Sequence, residues 1–155
     1  STDILTMYQG RPMRTASGSL REATDTLTNR IASALQEKTN QIIKGFDLMM
    51  TIKKGKDSVM IGGKTYSIKE VKEYYAKQIA KVMVDEVMRL ISTLPPDAFV
   101  EYYIVCGGGA YIFGNAIKQA IIDNDLVTSP EMVVIPSDPV LSNAKGFELI
   151  SHSQV

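Results

Sequence analysis

Tyr102-Tyr103-Ile104-Val105-Cys106-Gly107-Gly108-Gly109-Ala110 decides the reading of this 155-residue chain, because an apolar strand runs there into three glycines and then into a helix. Glycines at the end of a strand let a ligand lie against bare backbone, since no Cβ holds it away. The following helix aims unpaired N–H groups and its positive dipole end at the same place. Such a turn suits a nucleotide or another anion. Its alternative is a tight strand-to-helix turn with no ligand.

Upstream, Phe99 to Cys106 is a near-continuous apolar run, the pattern of a strand inside a parallel sheet. Downstream, Ile112, Ala116, Ile117, Ala120 and Ile121 line one side of a helix from Ala110 to Ile122. Glu131 to Ile135 reads as a further strand and Pro136-Ser137-Asp138-Pro139 as a loop. Ser142 or Asn143 then caps a short final helix.

Toward the N-terminus, Ile4 to Tyr8 and Met13 to Ala16 read as a hairpin around Gln9-Gly10-Arg11-Pro12. Ser19 with Glu22 forms a capping box for a helix carrying Leu20, Ala23, Leu27, Ile31 and Leu35 at helical spacing. The pattern changes between Thr39 and Pro96. A helix from Asn40 to Met50 presents Ile42, Ile43, Phe46 and Met49, and Gly62-Gly63 makes a tight hairpin. Ser67 with Glu70 is a second capping box. It opens the longest helix, striped with Val71, Tyr75, Ile79, Val82, Met83, Val87, Leu90 and Leu94 and stopped by Pro95-Pro96. The fold class is therefore α/β, a mixed sheet flanked by helices, with an α+β insertion of helix, β-hairpin and helix. Residues 1–38 and 97–155 form the core, and residues 39–96 the inserted subdomain.

Composition excludes several classes. Seventeen basic residues cancel seventeen acidic ones, so no net field draws the chain to nucleic acid or to a membrane. No apolar run approaches the ~18 residues of a membrane span, and no signal peptide is read at Ser1-Thr2-Asp3-Ile4, which starts without Met. The single cysteine, Cys106, permits no internal disulfide and fits a reducing cytoplasm; it reads as a small apolar filler at the end of a strand. His152 is the sole histidine, so no histidine-based metal site or triad can be built.

With these elements placed, three stretches resemble the second, C-terminal domain of the actin-like ATPase superfamily, most closely the bacterial plasmid-segregation ParM/StbA group and its archaeal relatives. Ser1-Thr2-Asp3-Ile4-Leu5 is similar to the tail of that family's second phosphate loop, and Ile104 to Ala110 to its adenosine motif. Pro136-Ser137-Asp138-Pro139-Val140 followed by Asn143-Ala144-Lys145-Gly146-Phe147 is similar to its C-terminal signature. The resemblance implies an actin/ribonuclease H-like domain that binds ATP (or GTP) with Mg²⁺ in an interdomain cleft and polymerises head to tail in the cytoplasm. It implies a DNA-bound adaptor as partner, without direct nucleic-acid or membrane contact.

Residue by residue, the resemblance places the backbone of Gly107, Gly108 and Gly109 against adenine and ribose, at the head of the helix that Ala110 and Tyr111 begin. Tyr111 covers the base or packs in the core. Thr2 and Asp3 reach the phosphates and the Mg²⁺ shell or serve as turn and cap residues. Lys44 and Asp47 hold the ribose or sit on a solvated helix face. Asn143 and Lys145 organise the C-terminal loop. No direct metal ligand is expected. The strand with the Asp-x-Gly of the second phosphate loop and the whole first domain, source of the water-positioning residue, are expected outside this chain. The chain is then a piece of a longer protein that does not hydrolyse ATP alone, because phosphoryl transfer depends on positioning between both loops and the metal. Alternative readings are a kinase, phosphatase or chaperone ATPase of the same fold, or an interaction module that binds no nucleotide.

Overall fold

The computed structural model describes residues 1–140. The cap at Ser142 or Asn143, the Asn143 to Phe147 signature with Lys145, and His152 lie outside the described residues. Alternation and short loops give four strand pairs. Strand β1 (Thr2–Ile4) pairs antiparallel with β4 (Gly18–Leu20), and β2 (Met7–Tyr8) with β3 (Arg11–Pro12). The pair β5 (Ser58–Ile61) and β6 (Lys64–Ser67) is also antiparallel, whereas β7 (Tyr103–Ile104) runs parallel to β8 (Val133–Val134). Helices α1 (Thr24–Thr39), α2 (Gly45–Lys53), α3 (Lys69–Ile91) and α4 (Ala110–Asp123), with two 3₁₀ turns at Arg14–Ala16 and Pro130–Met132, complete the described elements, and the first of these turns stands where the sequence predicts a strand from Met13 to Ala16. Strand directions are mixed, as the sequence predicts.

The hairpin at Gly62-Gly63 forms as predicted, with both glycines at positive φ (56° and 80°) and Ile61 opposite Lys64. Both capping boxes fail, for one reason: strand pairing takes their serines first. Ser19 lies within β4 opposite Asp3, and its hydroxyl donates to Asp3 Oδ1 at 2.6 Å. Helix α1 then starts at Thr24 with Ala23 at its N-cap and Asp25 in the first turn, where a carboxylate suits the dipole. Ser67 ends β6 opposite Ser58, and buried Ile68 takes the N-cap of α3, its N–H donating to the Asp57 carbonyl at 2.8 Å. Asn40 does not begin the second helix. It closes α1 in the left-handed conformation (φ 57°), a backbone state asparagine tolerates, and α2 starts five residues later.

The main core joins Leu27, Ile31 and Leu35 of α1, Leu48 and Ile52 of α2, Ile79 and Met83 of α3, and Phe113 of α4. This cluster takes side chains from both sides of the boundary read at residues 38 and 39. A smaller cluster, Val84, Ile121 and Val133, supports β7 and β8 from one side, with Tyr103 and Val105 packed on it. Helix α3 serves both clusters, so Ala80 and Val84 are buried while Val82 of the predicted stripe is 44% exposed. The apolar run from Phe99 also departs from its pattern. Tyr103 and Val105 face the cluster, but Phe99, Tyr102 and Ile104 are exposed, as is Cys106, so the run is covered on one face only. Cys106 continues the even-numbered, outward side of a strand whose side chains alternate, which corrects its reading as a buried filler.

Candidate functional site

The parallel pair β7–β8 delivers the chain to the glycine turn, and the three glycines do different work there. Gly107 has φ 91°, which side chains avoid; its N–H donates to the Pro139 carbonyl at 2.7 Å and its own carbonyl accepts the Ala110 N–H at 3.1 Å. Gly109 occupies the N-cap of α4, with its carbonyl accepting the Phe113 N–H at 2.8 Å. Gly108 is exposed, its φ is not positive, and a Cβ there would meet no atom of the described residues within 4 Å. Among the described residues, the N–H groups of Gly108 and Gly109 donate to no backbone acceptor. The middle glycine therefore leaves bare backbone and open space at a helix N-terminus, the arrangement that accepts an anion or a flat polar ligand.

Buried Ala110 anchors the start of α4, and Tyr111 beside it is 65% exposed, which removes the core-packing reading of that ring. Tyr111 instead lines a cavity of about 110 Å³ together with Ile52 and Gly55 at the end of α2, Lys72, Glu73 and Ala76 of α3, and Ile112. The space exists because α2, α3 and α4 converge on the main core and leave a gap at its rim. Gly55 turns the chain there with φ 69°, its N–H donating to the Ile52 carbonyl at 3.0 Å. Lys72 fastens the loop that follows: its Nζ donates to Asp57 Oδ1 at 2.5 Å and to the Lys56 carbonyl at 3.2 Å. The hydrogen bond and charge of Lys72 hold the Asp57 carboxyl below its ordinary range.

The other predicted site residues lie elsewhere. Lys44 takes the N-cap of α2 and Asp47 its first turn, both exposed, at the end of the helix opposite to Ile52 and Gly55. The structure does not bring them to the cavity beside Tyr111. The Thr2 hydroxyl donates to the Glu22 carbonyl at 2.7 Å, which ties β1 to the segment just before α1, and Asp3 accepts from Ser19, which ties it to β4. The pair β1–β4 is separate from the pair β7–β8 that carries the glycine turn. Among the described residues, no group of three or more His, Cys, Asp or Glu is placed to hold a metal. Sequence reasoning missed Gly55, Lys72 and Glu73. Periodicity assigns the last two to the solvated side of a long helix, and nothing local reports that α2 and α4 converge on them.

These elements, a mixed α/β frame with the glycine turn at the end of its parallel pair, define an actin-like domain. Residues 1–119 match the family described as archaeal actin homologue MreB-like, C-terminal. The chain belongs to that family. Among solved structures it is similar to Ta0583, an archaeal actin homolog, with 17% identity and a TM-score of 0.77 over 97% of this chain and 45% of that one. It is similar to the ParM of a 15-stranded filament from Clostridium botulinum, with 16% identity and a TM-score of 0.70 over 94% of this chain and 40% of that one. The non-polymerising A278D mutant of MamK, bound to AMPPNP, aligns at 15% identity and a TM-score of 0.73, over 93% of this chain and 49% of that one. The chain thus spans less than half the length of these structures. It matches no curated protein. Among the described residues no helix is long and apolar enough to cross a membrane.

Proposed function

We propose that this domain supplies the base and ribose side of a nucleotide cleft in an actin-like, filament-forming ATPase that takes ATP or GTP with Mg²⁺ and serves plasmid or DNA segregation. The observation that carries the reading is Gly108, whose bare backbone lies between the positive-φ turn at Gly107 and the head of α4, three residues from the open cavity at Tyr111. Backbone N–H groups at that turn suit the polar edge of a nucleoside, and the Tyr111 ring suits its flat face. Mg²⁺ keeps most of its waters and binds chiefly through the nucleotide's own phosphates, so Thr2 and Asp3 would meet its water shell rather than the ion itself. The similar ParM is a filament protein and the MamK mutant is described as non-polymerising, which supports self-association here. Head-to-tail stacking through a heterologous contact gives an open polymer rather than a ring. An adaptor bound to DNA would meet the filament, consistent with the zero net charge of the chain.

Sedimentation of the full-length protein with and without ATP or GTP tests the polymer: nucleotide-triggered pelleting is expected, and turnover of a small substrate without pelleting would sink it. Gly108→Val tests the cleft. A Cβ there meets no atom of the described residues within 4 Å and the φ is not positive, so the fold should be kept while nucleotide affinity drops by at least about tenfold, or ~1.4 kcal/mol. Unchanged affinity in the folded variant would leave the glycines a structural turn alone.

A further inference from the structure

The cavity beside Tyr111 has a chemical polarity of its own. Ile52, Ala76 and Ile112 give it an apolar floor, Tyr111 an aromatic side, and Lys72 and Glu73 a rim of opposite charges. Its volume of about 110 Å³ is below the ~150 Å³ of a cavity that encloses one benzene ring, so a base would enter it by its pairing edge and leave the rest outside. The two rim groups are prepared differently. Lys72 is fixed, with a side chain 17% exposed and two contacts in the loop, to Asp57 and to the Lys56 carbonyl; an ammonium has three donors, so one remains for a ligand. Glu73 has no hydrogen bond or ion pair from its side chain among the described residues, and a carboxylate offers acceptors only.

We propose, on the basis of the nucleotide reading above, that this cavity selects guanine over adenine, with Glu73 and Lys72 as the specificity-determining residues. The pairing edge of guanine presents two adjacent donors, N1–H and the N2 amino group, beside the O6 acceptor. A carboxylate accepts both donors at once and an ammonium donates to O6 or N7, so the rim is complementary to guanine in charge and in hydrogen-bond sense. Adenine offers one donor, its N6 amino group, next to the N1 lone pair. That lone pair would face the Glu73 carboxylate, and a site built to pair donors discriminates strongly against a ligand that lacks them. The base stacks on Tyr111 while the glycine turn holds the sugar side.

Calorimetric titration of the full-length protein with non-hydrolysable GTP and ATP analogues tests the assignment. The guanine analogue is expected to bind more tightly by about tenfold or more, the scale of one bidentate base contact. Glu73→Gln, a change at an exposed position, replaces one acceptor oxygen by a donor and matches the edge of adenine, so the preference should vanish or reverse. Equal affinities or an adenine preference in the unmodified protein, or a guanine preference that Glu73→Gln leaves unchanged, would overturn the specificity and leave nucleotide binding standing. Binding of neither analogue would overturn the nucleotide reading and this inference together.

Discussion

Among the described residues, ten buried side chains drawn from the four helices and Ile68 close the cluster around Leu27, Ile31 and Ile52, whereas three, Val84 of α3, Ile121 of α4 and Val133 of β8, form the cluster behind β7 and β8. The larger cluster fixes how α2, α3 and α4 converge, and so it shapes the cavity at Tyr111 from behind. The smaller one supports a two-residue parallel ladder whose outer face leaves Tyr102 and Ile104 exposed. The cavity thus stands on firmly packed helices, while the glycine turn stands on a thin support. Ligand contacts at the turn should then be more easily perturbed than contacts at the cavity rim.

Equal truncations in the two clusters give the largest expected effects. Ile31→Ala, at a fully buried position with partners on several helices, should cost about 4 kcal/mol of unfolding free energy in urea. Ile121→Ala in the smaller cluster should cost about 2 kcal/mol, because fewer neighbours lose contacts and the gap relaxes more easily. Equal losses would break the comparison. Next, Gly107→Ala forces a side chain to φ 91° and should cost about 1–2 kcal/mol. Gly108→Ala, with open space and no positive φ, should stay within about 0.5 kcal/mol of the parent. A matching loss at both glycines would show that the turn, rather than its middle residue, sets stability.

The smallest effect is a pH dependence at the fastened loop beside the cavity. Lys72 lowers the Asp57 pKa below its ordinary 3.8. A depressed folded-state value means stabilisation that is complete above the ordinary value and is lost as pH falls through the folded one. Urea midpoints of the parent and of Asp57→Asn should therefore differ at pH 6 and converge as pH falls below the ordinary value and through the lowered one. Midpoints that stay apart in acid would show that the loop is held by something other than the ion pair. Glu86, lowered by Arg89 on the next turn of α3, titrates in the same direction in both proteins and cancels from the difference.

Much of the frame was legible from local signals. Helix α4 follows its apolar spacing, α3 runs through the stripe read for the longest helix, and Gly62-Gly63 supplies the positive φ values its turn requires. Local signals failed where another segment offered a better partner. Ser19 found Asp3 across β1, and Ser67 was drawn into the ladder with Ser58, so neither hydroxyl caps a helix. The run from Phe99 to Cys106 looked covered on both sides because every residue type in it except Glu101 tolerates burial, yet only alternate residues meet the core. Of the site, the glycines and Tyr111 were visible as a strand–glycine–helix pattern. Lys72 and Glu73 were not, since a charged pair on a long helix reads as solvated surface until other helices arrive beside it.

The sequence by itself determined the glycine turn, the hairpin, the long helices and the family to which they belong, because periodicity and positive-φ glycines act within a few residues along the chain. Only the tertiary structure decided that the end of α2, rather than Lys44 and Asp47, faces Tyr111, and that Gly108, unlike Gly109, opens onto space free of described atoms. Those facts depend on where the packed helices leave a gap, and a gap is set by the shapes of several segments at once.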